Sequence, residues 1–177
     1  MYKNSLMEEI SKREISGGIL GYVYTIEFQK RGLPHMHLLL SLAPADRLTD
    51  PCHVDTVIKA CWPNPEEEPH LFDIVKRYMV HGPCGSVNPN APCMKHGKCS
   101  KGFPKHFQEV TVMNKDGYPL YACPNDGCQY KIRGFFADNR WIVLYNPYVL
   151  SWSIPFPTHL SILLLTQTFQ LQRTYQC

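Results

Sequence analysis

The 177-residue sequence lacks any long apolar run. Near its C-terminus the longest such run is Ile162 to Leu165, far below the roughly 20 residues that cross a bilayer. The N-terminus carries charges at Lys3, Glu8 and Glu9, where a secretory signal needs an uninterrupted apolar stretch. The sequence therefore predicts an intracellular protein with reduced cysteines and no membrane partner.

An excess of charge of one sign is also missing. Eighteen Lys and Arg residues stand against fifteen Asp and Glu residues, so the net charge of +3 indicates a nucleic-acid partner only if the positive residues cluster. The sequence contains no Gly-x4-Gly-Lys-Ser/Thr loop, so neither ATP nor another small-molecule substrate is expected. Hydrophobic residues make up 44% of the chain, which predicts a globular domain, and the 15 prolines predict many loops.

Alternating apolar residues at 21–29 and 35–42 predict two strands, and the Gly and Pro within 30–34 predict that these strands form a hairpin. The remaining apolar spacings predict helices at 54–61 and 71–80 and strands at 108–114 and 141–145. Together these elements predict an α+β fold, in which helices pack on an antiparallel sheet.

Two histidines on the second predicted strand form a candidate metal site. Side chains alternate along a strand, so His35 and His37 project from one face. Hairpin pairing would bring them beside the face of the preceding strand that carries Glu27 and Gln29. Two nitrogens and one oxygen would bind a divalent cation and leave positions open for a substrate. The alternative is that the two histidines are ordinary strand surface.

The cysteines point to a second candidate metal site. Cys84, Cys93 and Cys99 lie within 81–106, an irregular stretch that needs support other than backbone ladders. Three thiolates and one imidazole would form a closed tetrahedral zinc site. His81 and His96 are both close in sequence, and we take His96 as the fourth ligand. The alternative is that the three cysteines are reduced thiols without a metal.

Positive charge collects in the same stretch, because 93–106 contains four lysines and no acidic residue. Such clustering is typical of a groove that follows a phosphate backbone. Phe103 and Phe107 offer aromatic faces there, although we expect both to pack in the core. The predicted DNA contacts are Lys30, Arg31, Lys95, Lys98, Lys101, Lys105, Arg133 and Arg140.

The segment 26–40, which reads IEFQKRGLPHMHLLL, resembles the signature of the helicase-like, replication-initiator (Rep) domain of Helitron transposons. The resemblance covers 17–150 and leaves 1–16 as an arm and 151–177 as a divergent tail. It continues through further matching motifs at 78–85, 92–101, 103–105, 116–119 and 138–148.

This resemblance implies an HUH endonuclease, a metal-dependent enzyme that nicks single-stranded DNA through a tyrosine nucleophile. It assigns His35 and His37 as ligands of Mg²⁺ or Mn²⁺, with Glu27 as our choice of third ligand and Gln29 as the alternate. The implied partner is single-stranded DNA, and the implied localisation of an expressed copy is nuclear.

The sequence departs from the family after Leu150. The family continues into a helix with two tyrosines four residues apart, whereas 151–177 contains Pro155, Pro157 and the single Tyr175. We therefore expect a truncated or degenerate copy, incomplete at the C-terminal end of its HUH/Rep-like fold, that binds single-stranded DNA without nicking it. The alternative is a zinc-stabilised structural or nucleic-acid-binding module without catalysis.

Overall fold

The computed structural model describes residues 18–28, 34–46, 50–115 and 118–152. The predicted arm and all but the first two residues of the predicted tail lie outside these ranges. The strands are β1 (Ile19–Phe28), β2 (Pro34–Leu42), β3 (Met94–Lys95), β4 (Lys98–Cys99), β5 (Val112–Met113), β6 (Pro119–Leu120), β7 (Gln129–Ile132) and β8 (Phe135–Asp138). The helices are α1 (Pro51–Val57), α2 (Pro69–Tyr78) and α3 (Pro147–Trp152), with 3-10 turns at Pro44–Asp46 and Asn139–Trp141.

Strands β1 and β2 form the predicted hairpin, and their pairing is antiparallel. The register places Glu27 opposite His35 and Thr25 opposite His37. The backbone pairing therefore confirms the two strands that the alternating apolar residues predict. The predicted turn between the strands lies mostly outside the described residues.

Proline begins both longer helices, since its fixed φ suits the first helical position. Asp50 caps α1 by accepting a hydrogen bond from the backbone N–H of Cys52. This cap places α1 earlier than the predicted 54–61, and Ile58 ends it in an extended conformation. None of the helices in the described ranges is both long and apolar enough to span a membrane.

The strands of the described residues form four separate two-stranded sheets, all antiparallel. The predicted combination of α and β structure is confirmed. The described residues do not form the one continuous sheet that we expected. The β7–β8 hairpin was not predicted. Its turn consists of Arg133 and Gly134, both with positive φ, which matches the right-handed twist of the strands they join.

The core lies between α2, the β7–β8 hairpin and the segment that ends in α3. From α2 it receives Phe72, whose ring packs against Trp62 and Tyr130 with centroids 5.6 and 4.7 Å away. Phe72 and Tyr130 pack edge to face, which adds to the hydrophobic contribution of the buried rings. Cys84, one of the candidate zinc ligands, belongs to this core. The core therefore supports one side of the candidate metal centre.

Two strand predictions are wrong in extent. The segment 141–145 follows a 3-10 turn and makes only isolated bridges, between Val80 and Ile142 and between Lys59 and Tyr145. The segment 108–114 is a strand only at Val112–Met113. Apolar runs of this length occur in buried irregular segments as well as in strands, so periodicity alone does not separate them.

Candidate metal centre and basic surface

Four side chains converge within the irregular stretch: His81, Cys84, Cys93 and Cys99. Their ligand atoms all lie within 4.8 Å of one another, and Cys99 Sγ is 3.5 Å from His81 Nε2. A tetrahedral zinc ion with Zn–S distances of about 2.3 Å holds its ligand atoms about 3.8 Å apart. The group therefore has the composition and the spacing of a structural zinc site.

The backbone holds both ends of this stretch against one short turn. The N–H of His81 donates to the carbonyl of Trp141, and the N–H of Lys105 donates to the carbonyl of Arg140. Because these acceptors are consecutive residues, the stretch closes into a loop on the 3-10 turn. A metal ion inside the loop would tie its middle to its anchored ends.

The tight β3–β4 hairpin presents two of the cysteines. Cys93 immediately precedes β3, Cys99 ends β4, and the carbonyl of Cys93 accepts from the N–H of Ser100. His96 and Gly97 form the turn, with φ of 50° and 76°. His96 is therefore exposed at the hairpin tip, outside the ligand group.

The fourth member of the group is thus His81, where the sequence led us to expect His96. Spacing does not separate the two histidines, because His81 precedes Cys84 and His96 precedes Cys99 with two residues between them in each pair. His81 also stacks between two rings, with centroids 4.2 Å from Phe103 and 6.4 Å from Trp141. This stacking fixes the orientation of the imidazole.

The side chains of this group differ in how readily they lose a proton. Burial, together with hydrogen bonds to Cys99 and Cys93, raises the pKa of the Cys84 thiol to about 12. At Cys99 burial raises the pKa, but hydrogen bonds with the backbone of Phe103 and Lys101 and with the two other thiols together outweigh it, so the pKa is lowered. Burial and the nearby lysines lower the pKa of His81, which keeps its imidazole neutral as a metal ligand requires. Metal binding must therefore displace a proton from Cys84.

We predict that His81→Asn lowers zinc affinity at least about tenfold, the smallest loss expected even for an outer-shell partner. His96→Asn is the matched control, since asparagine tolerates the positive φ of this position. Zinc content of the full-length variants after dialysis against a graded chelator measures the difference. Zinc loss confined to His96→Asn would contradict the assignment.

The predicted DNA-contacting lysines of this stretch are all exposed. Lys95 and Lys98 lie opposite each other on the β3–β4 hairpin, so their charges are adjacent. Lys105 lies over the ring of Phe103, with its Nζ 4.7 Å from the centroid, and donates to the carbonyl of Lys101. The hairpin and the segment after it thus present a positive surface next to the metal group.

Two of the three predicted arginines, Arg133 and Arg140, lie among the described residues, and they differ in their availability for DNA. Arg140 makes an ion pair with Asp138 at 2.7 Å, and this pairing raises its pKa and balances its charge. Arg133 is exposed at the β7–β8 turn and donates to the carbonyl of Arg77 at 3.4 Å. Arg77, an exposed residue in the last turn of α2, is a further positive group that the sequence did not single out.

The candidate site that contains His35 and His37 lies on the β1–β2 hairpin. His35 and His37 lie on β2, and the register places Glu27 of β1 directly opposite His35. Residues directly opposite each other in an antiparallel pair share a face of the sheet. Gln29, Lys30 and Arg31 lie outside the described residues.

Residues 1–40 match a family model described as the Helitron helicase-like domain at the N-terminus. Over these residues the chain is similar to the Helitron helicase-like domain. The matched segment contains Glu27, His35 and His37, so the predicted resemblance is confirmed where the strand site lies. No curated protein matches the chain. The Helitron resemblance of 41–150 stays a prediction.

Proposed function

We propose that this chain is a Helitron-type HUH domain that binds single-stranded DNA without nicking it. The observation that carries the proposal is the β1–β2 register, which places Glu27 opposite His35 inside the Helitron-like segment. His37 lies two residues further along β2, on the same face as His35 by strand alternation. By register and strand alternation, the three potential ligands would share one face of the hairpin.

Two imidazoles and a carboxylate suit a divalent cation, which we propose to be Mg²⁺ or Mn²⁺. Such a cation would polarise a phosphate oxygen and orient the DNA backbone on the hairpin. The cation leaves coordination positions open, because only three protein ligands are supplied.

The exposed lysines of 93–106 extend the proposed contact with DNA. Lysine charges attract the phosphates and release counterions, so affinity falls as salt rises. Engagement of the four lysines would give a slope of log K against log salt of about −3 for a single strand. The zinc site supports this surface by holding the hairpin that carries Lys95 and Lys98.

Cleavage would need a tyrosine nucleophile, and Tyr175 is the only tyrosine of 151–177. Upstream, Tyr145 is buried and its hydroxyl donates to the carbonyl of Cys61. A hydroxyl held in this way is engaged in packing rather than free to attack a phosphate. We therefore propose binding without a covalent intermediate.

The test measures binding of a fluorescent 20-nucleotide single strand to the full-length protein, with and without Mn²⁺. We expect Mn²⁺ to increase affinity, the His35→Ala/His37→Ala variant to lose this increase, and no covalent adduct to appear on a denaturing gel. His53→Ala/His70→Ala, which changes two exposed histidines, is the matched control and keeps the response. A phosphotyrosyl adduct would contradict the absence of nicking.

A second candidate function is a zinc-stabilised nucleic-acid-binding module without a strand metal site. The convergence of His81 with three cysteines favours it. Binding that is independent of Mn²⁺ and unchanged in His35→Ala/His37→Ala would support this candidate against the first.

A further inference from the structure

A cavity of about 230 Å³ lies beside the loop that precedes β7. Its lining includes Phe107, Asn125, Asp126, Gln129, Asp138 and Asn139. Pockets for drug-sized ligands measure roughly 300–1,000 Å³, so this one suits a smaller group. No residue of the candidate metal centre lines it.

One wall of the cavity is aromatic. Phe107 is 38% exposed, so our expectation that it packs in the core is wrong. The guanidinium carbon of Arg140 lies 4.6 Å from the centroid of its ring, and Asp138 holds that guanidinium in place. The ring is thus supported on a rigid base, as a stacking platform for a nucleobase requires.

The polar lining divides into engaged and available groups. The Asn139 amide is used internally, because it accepts from the N–H of Trp62 and donates to the carbonyl of Pro124. Asp138 is paired with Arg140. Asp126 accepts from the backbone N–H of Cys128 and also interacts with the Cys128 thiol, but it has no ion-pair partner among the described residues. Its carboxylate is therefore the acidic group of the cavity that is not neutralised by an ion pair.

The basic surface leads to this cavity. Lys105 lies two residues before Phe107, and its N–H donates to the carbonyl of Arg140, which stacks on Phe107. A strand whose phosphates contact the lysines of 93–106 would therefore pass its next bases beside the cavity. Extruded bases are read by stacking and by hydrogen bonds to their Watson–Crick edge.

We propose that the cavity binds one unstacked guanine base of single-stranded DNA. Phe107 stacks on the base, and the Asp126 carboxylate accepts from its N1–H and its exocyclic amine. Among the four bases, guanine alone presents two adjacent donors on its Watson–Crick edge, which matches a carboxylate. The inference rests on the proposed binding of single-stranded DNA and adds a base preference to it.

The test compares affinities of the full-length protein for a 12-nucleotide thymidine strand and for the same strand with one central dG, dA or dC. We expect the dG strand to bind at least about fivefold more tightly, within the range of a good bidentate contact. Asp126→Asn should abolish this preference, because an amide offers one acceptor and one donor in place of two acceptors. Its oxygen still caps the N–H of Cys128, so folding is preserved.

Asp73→Asn is the matched control, since it removes one exposed negative charge from α2, outside the cavity lining. Both variants should bind the thymidine strand with equal affinity, and only Asp73→Asn should keep the dG preference. Tight binding of all four strands without preference would overturn the guanine pocket and leave the proposed function standing. Absence of binding to every strand would overturn both.

Discussion

Removal of zinc is expected to unfold the loop between His81 and Lys105 and to lower the stability of the whole protein. Structural zinc binds small peptide domains with an apparent free energy of about 10–16 kcal/mol at neutral pH, and that energy is folding energy. Truncation of one large core side chain costs about 2–5 kcal/mol. Chelation should therefore be more damaging than any single core substitution.

Few other interactions hold this loop in its folded conformation. Two strands of two residues each, β3 and β4, are its only regular structure among the described residues. Cys84 is 1% exposed and belongs to the core, so its displacement opens the core as well. Without the metal, only the anchored ends on the 3-10 turn and partial packing remain.

Urea unfolding of the full-length protein, with zinc and after treatment with a strong chelator, measures this effect. Cys84→Ser should reproduce the chelated state, whereas Cys52→Ser, at an exposed cysteine outside the ligand group, should remain within about 0.5 kcal/mol of the parent. Acidification from pH 7 toward 5 should also release zinc, because protons compete for the thiolates. Unchanged unfolding in chelator would contradict a structural role for zinc.

Asn139→Ala is expected to lower the free energy of unfolding by about 3–5 kcal/mol. Asn139 is 1% exposed, and its amide joins the N–H of Trp62 to the carbonyl of Pro124 at 2.8 and 2.9 Å. Alanine would leave both backbone groups without their partner and a void between them. Asn139 also begins the 3-10 turn that anchors the zinc loop, so zinc affinity should fall with stability.

Thermal and urea unfolding measure the stability change, and zinc titration measures the coupled loss. Asn90→Ala, at an exposed asparagine, is the matched control and should change stability by less than about 0.5 kcal/mol. A small effect of Asn139→Ala on unfolding would show that the neighbouring backbone groups find other partners. An unchanged zinc affinity in a clearly destabilised variant would show that the loop does not depend on the turn.

Local sequence signals predicted those elements whose pattern is strong. Alternating apolar residues at 21–29 predicted β1, and the apolar stripe that contains Leu71, Ile74 and Val75 predicted α2. The β7–β8 hairpin was missed because Arg133 occupies a left-handed position that sequence rules reserve for glycine or asparagine. Short strands carry too few residues for their periodicity to be read.

Residue type and spacing were sufficient to identify the three cysteines, the lysine cluster and the Helitron-like histidine strand, because each is a local pattern in the chain. Only the tertiary structure decided which histidine completes the metal group. His96 is closer in sequence to Cys99, yet a tight hairpin turns it outward, whereas backbone anchoring on Trp141 brings His81 to the cysteines. Contacts of this kind depend on how distant segments pack, and no local pattern encodes them.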